Sequence, residues 1–178
     1  MTRRIVVTGP ESTGKTTLAR AIAARLGAPW LPEVARAYAD EQRLRGRALG
    51  SDDVEPIARR VIAAEDAALA ERPADLVLDT DLVSTVAYAR HYYGACPAWI
   101  MSEARARLGS VYLLCAPDLP WVADGIRDRP VAREEMFAHF AATLREFGAP
   151  LMEVRGSGRS RERSAIRSIQ HAGRTVDA

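Results

Sequence analysis

Short runs of branched apolar residues alternate along the chain with longer stretches in which apolar positions recur every three or four residues. Ile5-Val6-Val7, preceded by Arg3 and Arg4, reads as a buried parallel strand. From Thr16 to Leu26, Leu18, Ile22 and Leu26 share one helical face beside Ala19 and Ala23. Gly27 suits the left-handed residue past a helix end, and Pro29 prevents the helix from resuming. Trp30-Leu31-Pro32 reads as a short strand ending at Glu33, Val34 to Arg47 as a helix, and Gly50-Ser51-Asp52-Asp53 as a polar turn. The next helix, from Val54 to Glu71, carries Ile57, Val61, Ala64 and Ala68 on one side. Past Pro73, Asp75-Leu76-Val77-Leu78 is the clearest central strand after the first. Helices over Leu82 to Tyr93 and Ala98 to Arg107 are separated by Gly94 and Pro97, and Val111-Tyr112-Leu113-Leu114 is the fourth strand. An irregular charged stretch after Pro117 leads to a helix from Arg133 to Phe147, a fifth strand over Leu151 to Val154, a Gly-Ser-Gly loop and a terminal helix. This alternation predicts an α/β fold, a doubly wound parallel sheet with helices on both faces. Right-handed crossovers place its chemistry at the carboxyl ends of the strands.

With 178 residues and a hydrophobic share of 48%, the pattern fits one domain over residues 1–178. The formal charge of +2 is too small to imply nucleic acid. Arg155, Arg159, Arg161, Arg163 and Arg167 make the C-terminal segment locally basic, and it reads as a solvated helix face. Cys96 and Cys115 have neither metal-ligand spacing nor the density of a disulfide scaffold, so reduced thiols in a cytoplasmic protein are expected. No stretch reaches the ~18 apolar residues that would span a bilayer, and Met1 to Arg4 lead directly into the first strand.

Between that strand and its helix, Gly9-Pro10-Glu11-Ser12-Thr13-Gly14-Lys15-Thr16 fills every fixed position of a phosphate-binding loop. Lys15 is the only lysine in the chain, so every other basic side chain except histidine is arginine. A compact ammonium on a flexible stem suits the outer phosphates of a nucleoside triphosphate better than a planar guanidinium, which accounts for lysine persisting here. Gly9, Glu11, Ser12, Thr13 and Gly14 supply the loop, and Thr16 and Thr17 open the helix whose positive end faces the phosphates. The Thr16 hydroxyl is placed to ligate magnesium.

Asp79 directly follows Leu76-Val77-Leu78, the position from which a carboxylate reaches the magnesium shell, while helix capping by Asp79-Thr80-Asp81 is the competing reading. Asp81 suits either the cap of the following helix or the acceptor substrate. Glu33, past the second strand and beside the loop in a parallel sheet, is the preferred base for an acceptor hydroxyl. Arg36 follows it by three residues, so an intrahelical ion pair competes with that role. Arg127, Arg129 and Arg133 lie in or beyond the segment Pro120 to Pro130, which reads either as a lid delivering guanidinium donors to a transferring phosphoryl group or as a solvated loop paired with Asp124 and Asp128. Trp30, Tyr88, Tyr92, Tyr93 and Trp121 are candidates for stacking on a flat ring or for core packing.

Taken together, Gly9 to Thr16, Pro32-Glu33-Val34-Ala35-Arg36, Asp79-Thr80-Asp81 with Tyr92 downstream, and Trp121-Val122-Ala123-Asp124-Gly125-Ile126-Arg127 resemble the kinase domain of bacterial NadR-type proteins, which phosphorylate nicotinamide riboside within the P-loop nucleoside kinase group. The resemblance runs from the first strand to about Val154. It implies a P-loop kinase-like three-layer sandwich with a five-stranded parallel sheet and a lid, residues 117–133, between strands 4 and 5. It further implies ATP as donor, Mg2+, a ribose hydroxyl as acceptor, and Tyr92 as the ring-stacking residue. Val34 stands where the family often has an aromatic, and Trp30 lies three residues before Glu33. The adenylyltransferase domain that often precedes this kinase exceeds what 178 residues hold, so the isolated kinase unit is expected.

Three rivals remain beside a kinase that uses Lys15, Glu33, Asp81 and Arg127 with a substrate site of Trp30, Glu33, Arg36, Asp81 and Tyr92. A GTP switch would use the same loop, yet its Asn-Lys-x-Asp element is ruled out in a chain without asparagine or a second lysine. A regulatory ATP-binding module would hydrolyse ATP slowly and answer to a partner. Another nucleoside or nucleotide kinase would keep the same loop and base for a different acceptor.

Overall fold

Successive side chains in a strand point to opposite faces of its sheet, and in this chain both faces are apolar. The structure is a computed structural model that describes residues 1–119 and 133–174. In β1 (Arg3–Thr8), Ile5 and Val7 enter one core and Val6 the other. β3 (Asp75–Asp79) and β4 (Val111–Cys115) keep the same alternation, with Val77, Val111 and Leu113 on the first face and Leu76, Leu78, Tyr112 and Leu114 on the second. β2 (Trp30–Leu31) and β5 (Leu151–Val154) complete a five-stranded parallel sheet of order β2-β3-β1-β4-β5.

Helices cover both faces, as the alternation of strands and helices requires. On the first, α1 (Lys15–Leu26) and α7 (Gly158–Arg174) bring Leu18, Ile22, Ala165 and Ile169 against the sheet. On the second, α3 (Val54–Ala70), α4 (Leu82–Tyr93), α5 (Ala98–Ala106) and α6 (Arg133–Glu146) contribute Val61, Val86, Ile100 and Phe140. Gly27 and Gly94 end α1 and α4 in the left-handed region, each amide bonding back to the carbonyl four residues earlier. No described helix is long and apolar enough to cross a membrane. The result is an α/β three-layer fold, a five-stranded parallel sheet between two layers of helices.

Two expectations change. The helix predicted to run to Arg47 is α2 (Val34–Leu44), because the chain turns at Gly46, φ 70°, and Arg47 doubles back. Its guanidinium donates to Gln42 and to the buried carboxylate of Asp53, which also accepts from the Tyr38 hydroxyl and the Gly50 amide. That clasp closes the loop between α2 and α3 and holds the Asp53 carboxyl well below the usual range, the Arg47 hydrogen bond being the main cause. The strand leading to Glu33 is also not beside the phosphate loop, since β2 pairs with β3 and β3 lies between it and β1. The wholly buried run Leu76 to Leu78 takes the interior position beside β1, and two-residue β2 is left at the edge. The predicted lid falls mostly on residues 120–132, so the segment carrying Trp121 and Arg127 lies outside the described residues.

Candidate active site

β1 ends at Thr8 and the chain passes through residues 9–14 directly into α1. Gly9 has φ 133°, and a Cβ there would lie 2.8 Å from the Cys115 carbonyl oxygen, so neither conformation nor space admits a side chain. Gly14, at φ 74°, would place a Cβ 2.9 Å from Cδ1 of Leu119. The Thr13 hydroxyl and Lys15 Nζ both donate to the Pro10 carbonyl, at 2.8 and 2.7 Å, which draws the loop around the lysine. The first amides of α1 have no acceptor within the helix, so the loop ends on a cluster of donors and a positive partial charge. Thr16 and Thr17 are exposed at that end.

Asp79, at the carboxyl end of β3, reaches this cluster. The Thr16 hydroxyl donates to its Oδ2 at 2.5 Å, while its Oδ1 is buried without a hydrogen-bond partner. Burial pushes the Asp79 carboxyl above its usual range, with the Thr16 hydrogen bond opposing and the Glu33 charge adding to the rise. A buried carboxylate with a spare oxygen, next to a threonine hydroxyl, is a hard all-oxygen donor pair that fits magnesium. Thr80 then takes φ 67°, a left-handed conformation unfavourable for a β-branched residue, while its amide bonds the Val7 carbonyl. This strained turn separates Asp79, facing the loop, from Asp81.

A cavity of about 650 Å³ opens on the second face, with Glu33, Thr80, Ser84, Thr85, Tyr88 and Tyr92 in its wall and Leu49, Val54 and Ile57 supplying apolar lining. Glu33 precedes α2, its side chain only 9% exposed, with Arg36 Nε 3.5 Å from Oε2. The ion pair and the cavity-facing carboxylate therefore coexist. β2 and β3 are direct neighbours, so Glu33 follows the strand beside Asp79 and its charge acts on that carboxylate. Tyr92 stacks nearly parallel to Tyr88, ring centroids 6.1 Å apart, and its hydroxyl donates to Glu11 of the phosphate loop at 3.3 Å.

Trp30 and Asp81 are not part of that wall. Alternation along β2 sends Trp30 to the first face, where the Arg20 guanidinium lies 5.2 Å from its ring centroid, and Leu31 to the second. Trp30 and Tyr92 thus stand on opposite sides of the sheet. Asp81 is the cap of α4, with Oδ1 accepting from the amides of Val83 and Ser84 and Oδ2 from the Tyr112 hydroxyl. Its oxygens are turned into the core, and burial pushes its carboxyl up to about 6. Of the two roles left open by sequence, the structure displays the cap.

A smaller hollow of about 350 Å³ lies on the first face, bordered by Gly14, Thr17, Leu18, Leu119, Gly158 and Arg159. Arg161, also in its wall, departs from the solvated face expected of the C-terminal arginines. It is 3% exposed and donates to the carbonyls of Thr13, Ala116 and Gly156 and to Asp118. A signal for this was present in the sequence, because Arg161, Ala165 and Ile169 follow one another at four-residue spacing along the buried stripe of α7.

The profile of a family described as AAA domain matches residues 4–163. No curated protein matches by sequence. Among solved structures, a NadR protein in complex with NR superposes with a TM-score of 0.75 at 24% identity, over 96% of this chain and 51% of its own. NadR in complex with NAD and AMP-PNP gives 0.74 at 22% identity, over 96% and 49%. Thymidylate kinase from Ehrlichia chaffeensis gives 0.68 at 11% identity, over 94% and 98%. This chain therefore spans about half the length of the NadR chains and nearly all of the thymidylate kinase.

Proposed function

The chain belongs to the AAA domain family, and from that premise we propose that it is a magnesium- and ATP-dependent kinase of a small-molecule hydroxyl, with a nucleoside as acceptor and nicotinamide riboside the first to test. One observation carries the reading. The Thr16–Asp79 pair at the phosphate loop stands within electrostatic reach of Glu33, a carboxylate lining a cavity large enough for a nucleoside. The NadR protein that this fold resembles was solved in complex with NR, and a second NadR structure contains AMP-PNP, which supports both the donor and the acceptor named here.

The loop amides and Lys15 hold the β- and γ-phosphates of ATP, and the smaller hollow beside Gly14 and Leu18 takes the base. Thr16 and Asp79 would hold magnesium, which neutralises charge on the outer phosphates. Glu33 accepts the proton of the acceptor hydroxyl, and its Arg36 partner keeps the carboxylate turned to the cavity. Tyr88 and Tyr92 flank the ring of the acceptor. Arg127, in residues 120–132, is assigned to the transferring phosphoryl group, and Asp81 to the cap of α4.

A second reading, a kinase acting on a nucleoside monophosphate, draws on Arg43 and Arg47 in the same cavity wall. The experiment is incubation of the purified protein with ATP, magnesium and a panel of nucleosides and mononucleotides, products followed by mass. Addition of one phosphate to nicotinamide riboside or another nucleoside is the expected result. Transfer only to mononucleotides selects the second reading, and ATP hydrolysis with no phosphorylated acceptor rejects both.

A further inference from the structure

Three neighbouring strands of the sheet, β1, β4 and β5, deliver their carboxyl ends to one guanidinium. Arg161, in the first turn of α7, donates through one terminal nitrogen to Asp118 Oδ1 at 2.7 Å and to the Gly156 carbonyl at 2.6 Å. Its other terminal nitrogen donates to the Thr13 carbonyl at 3.0 Å and the Ala116 carbonyl at 3.3 Å. Asp118 in turn accepts the Gly156 amide through Oδ2 at 2.7 Å. Residues after β1, after β4 and after β5 are therefore tied together at a side chain almost wholly removed from water.

Among these acceptors, only Thr13 belongs to the phosphate loop. In a trans peptide the carbonyl and the following amide point in opposite directions, so fixing the Thr13 oxygen also fixes the Gly14 N–H. The Thr13 hydroxyl donates at the same time to the Pro10 carbonyl, so the side chain and the carbonyl of this residue are each anchored. Gly14, at φ 74°, has little intrinsic preference to keep this peptide in one orientation, since glycine adopts positive and negative φ with similar ease. An external restraint is needed for the Gly14 amide to stay turned toward a phosphate, and Arg161 is the side chain placed to supply it.

We infer that Arg161 is a positioning residue for triphosphate binding, holding the Thr13–Gly14 peptide so that its amide faces the phosphates. This rests on the phosphate-loop reading above and adds to it a residue 148 positions away in the chain. A purely structural role, pinning α7 to the sheet, would alter stability without selectively altering nucleotide affinity. The inferred role alters affinity in a protein that remains folded.

The test is titration of the full chain with MgATP, with melting temperature and circular dichroism measured on the same samples. Arg161→Gln keeps a single amide donor on a side chain two bonds shorter and loses the charged fork that reaches the Thr13 carbonyl, and it should raise Kd about tenfold or more. Asp118→Asn removes the charge that holds the guanidinium, should raise Kd ~threefold, and carries the test if Arg161→Gln does not fold. Phe140→Leu, in the core on the opposite face, serves as a variant destabilised to a similar degree, with Kd within about twofold of wild type. Arg161→Gln or, in its place, Asp118→Asn binding MgATP as wild type does would overturn the inference. So would a Phe140→Leu variant that loses as much affinity for the same loss of melting temperature. A wild-type protein that binds no MgATP overturns the phosphate-loop reading itself, and this inference with it.

Discussion

The two faces of the sheet solve different problems at its carboxyl edge. On the first, a contiguous segment closes around Lys15, each of its special residues required by a local contact: Gly9 against Cys115, Gly14 against Leu119, Thr13 against Pro10. On the second, the cavity wall is assembled from α2, α3, α4 and the turns that join them to the sheet and to one another, and its chemically important residues are scattered between positions 33 and 93, adjacent only at Ser84-Thr85 and Tyr92-Tyr93. Fixed backbone donors suit phosphates, which every triphosphate presents alike. A wall of separate helices suits an acceptor, because side chains there change without disturbing the phosphate loop. Asp79 and Thr80 are the seam between the two, the first bonded to Thr16 and the second lining the cavity.

If this division is real, substitutions on either side should damage different steps. Lys15→Ala is expected to have the largest effect, lowering ATP-dependent turnover by about 10³-fold, since no other lysine exists to take its place. Turnover measured at saturating acceptor checks it, and retained activity would remove the phosphate loop from the mechanism. Glu33→Gln comes next, with turnover lowered by about 10²-fold while ATP affinity stays near wild type. Loss of ATP affinity in that variant would blur the two faces into one site.

Local chemistry made most of the first face legible and little of the second. The loop, the strand runs and the ends of α1 and α4 are each encoded by neighbouring residues, through β-branched runs or through Gly27 and Gly94. The strand order is not, because which strand becomes the neighbour of β1 depends on competition for the buried place beside it, won by Leu76-Val77-Leu78 over the two residues of β2. Glu33 nonetheless acts on Asp79, because β2 is the direct neighbour of β3. The choice between stacking and core packing for Trp30 is open in the sequence for a related reason: one step along an edge strand decides its face. Arg161 was misread although its stripe was visible, because a charged residue on an apolar stripe is identified as a buried anchor only when its acceptors are known, and those come from three separate loops.

Asp81 tests whether the second face contains one working carboxylate or two. Its folded-state carboxyl is pushed up to about 6 by burial, whereas the unfolded value lies near ~3.9. Between those values the folded protein keeps a proton that the unfolded chain releases. Its contribution to stability is therefore greatest in acid and falls as pH rises toward about 6, then levels off. Across that interval the stability of wild type relative to Asp81→Asn should fall by about 2–3 kcal/mol, measured by urea unfolding at successive pH values. Parallel curves would show that this carboxyl is not the buried acid described. At neutral pH, Asp81→Asn should reduce turnover far less than Glu33→Gln, and an equal reduction would transfer the base from Glu33 to Asp81.

The smallest effect separates the faces most finely. Tyr92 lines the cavity and Trp30 packs on the far side of the sheet, although both are aromatic and both were candidates for stacking. Tyr92→Ala should raise the KM of the acceptor about 3–10-fold, the range expected for losing one aromatic contact, with the KM for ATP nearly unchanged. The Tyr92 hydroxyl also bonds Glu11, so Tyr92→Phe is the necessary companion: it removes only that link and should leave acceptor binding intact. Trp30→Phe should lower the melting temperature by a few degrees through lost packing and leave both KM values alone. A rise in acceptor KM with Trp30→Phe but not with Tyr92→Ala would mean that the acceptor approaches from the first face. The 650 Å³ cavity would then need a different occupant.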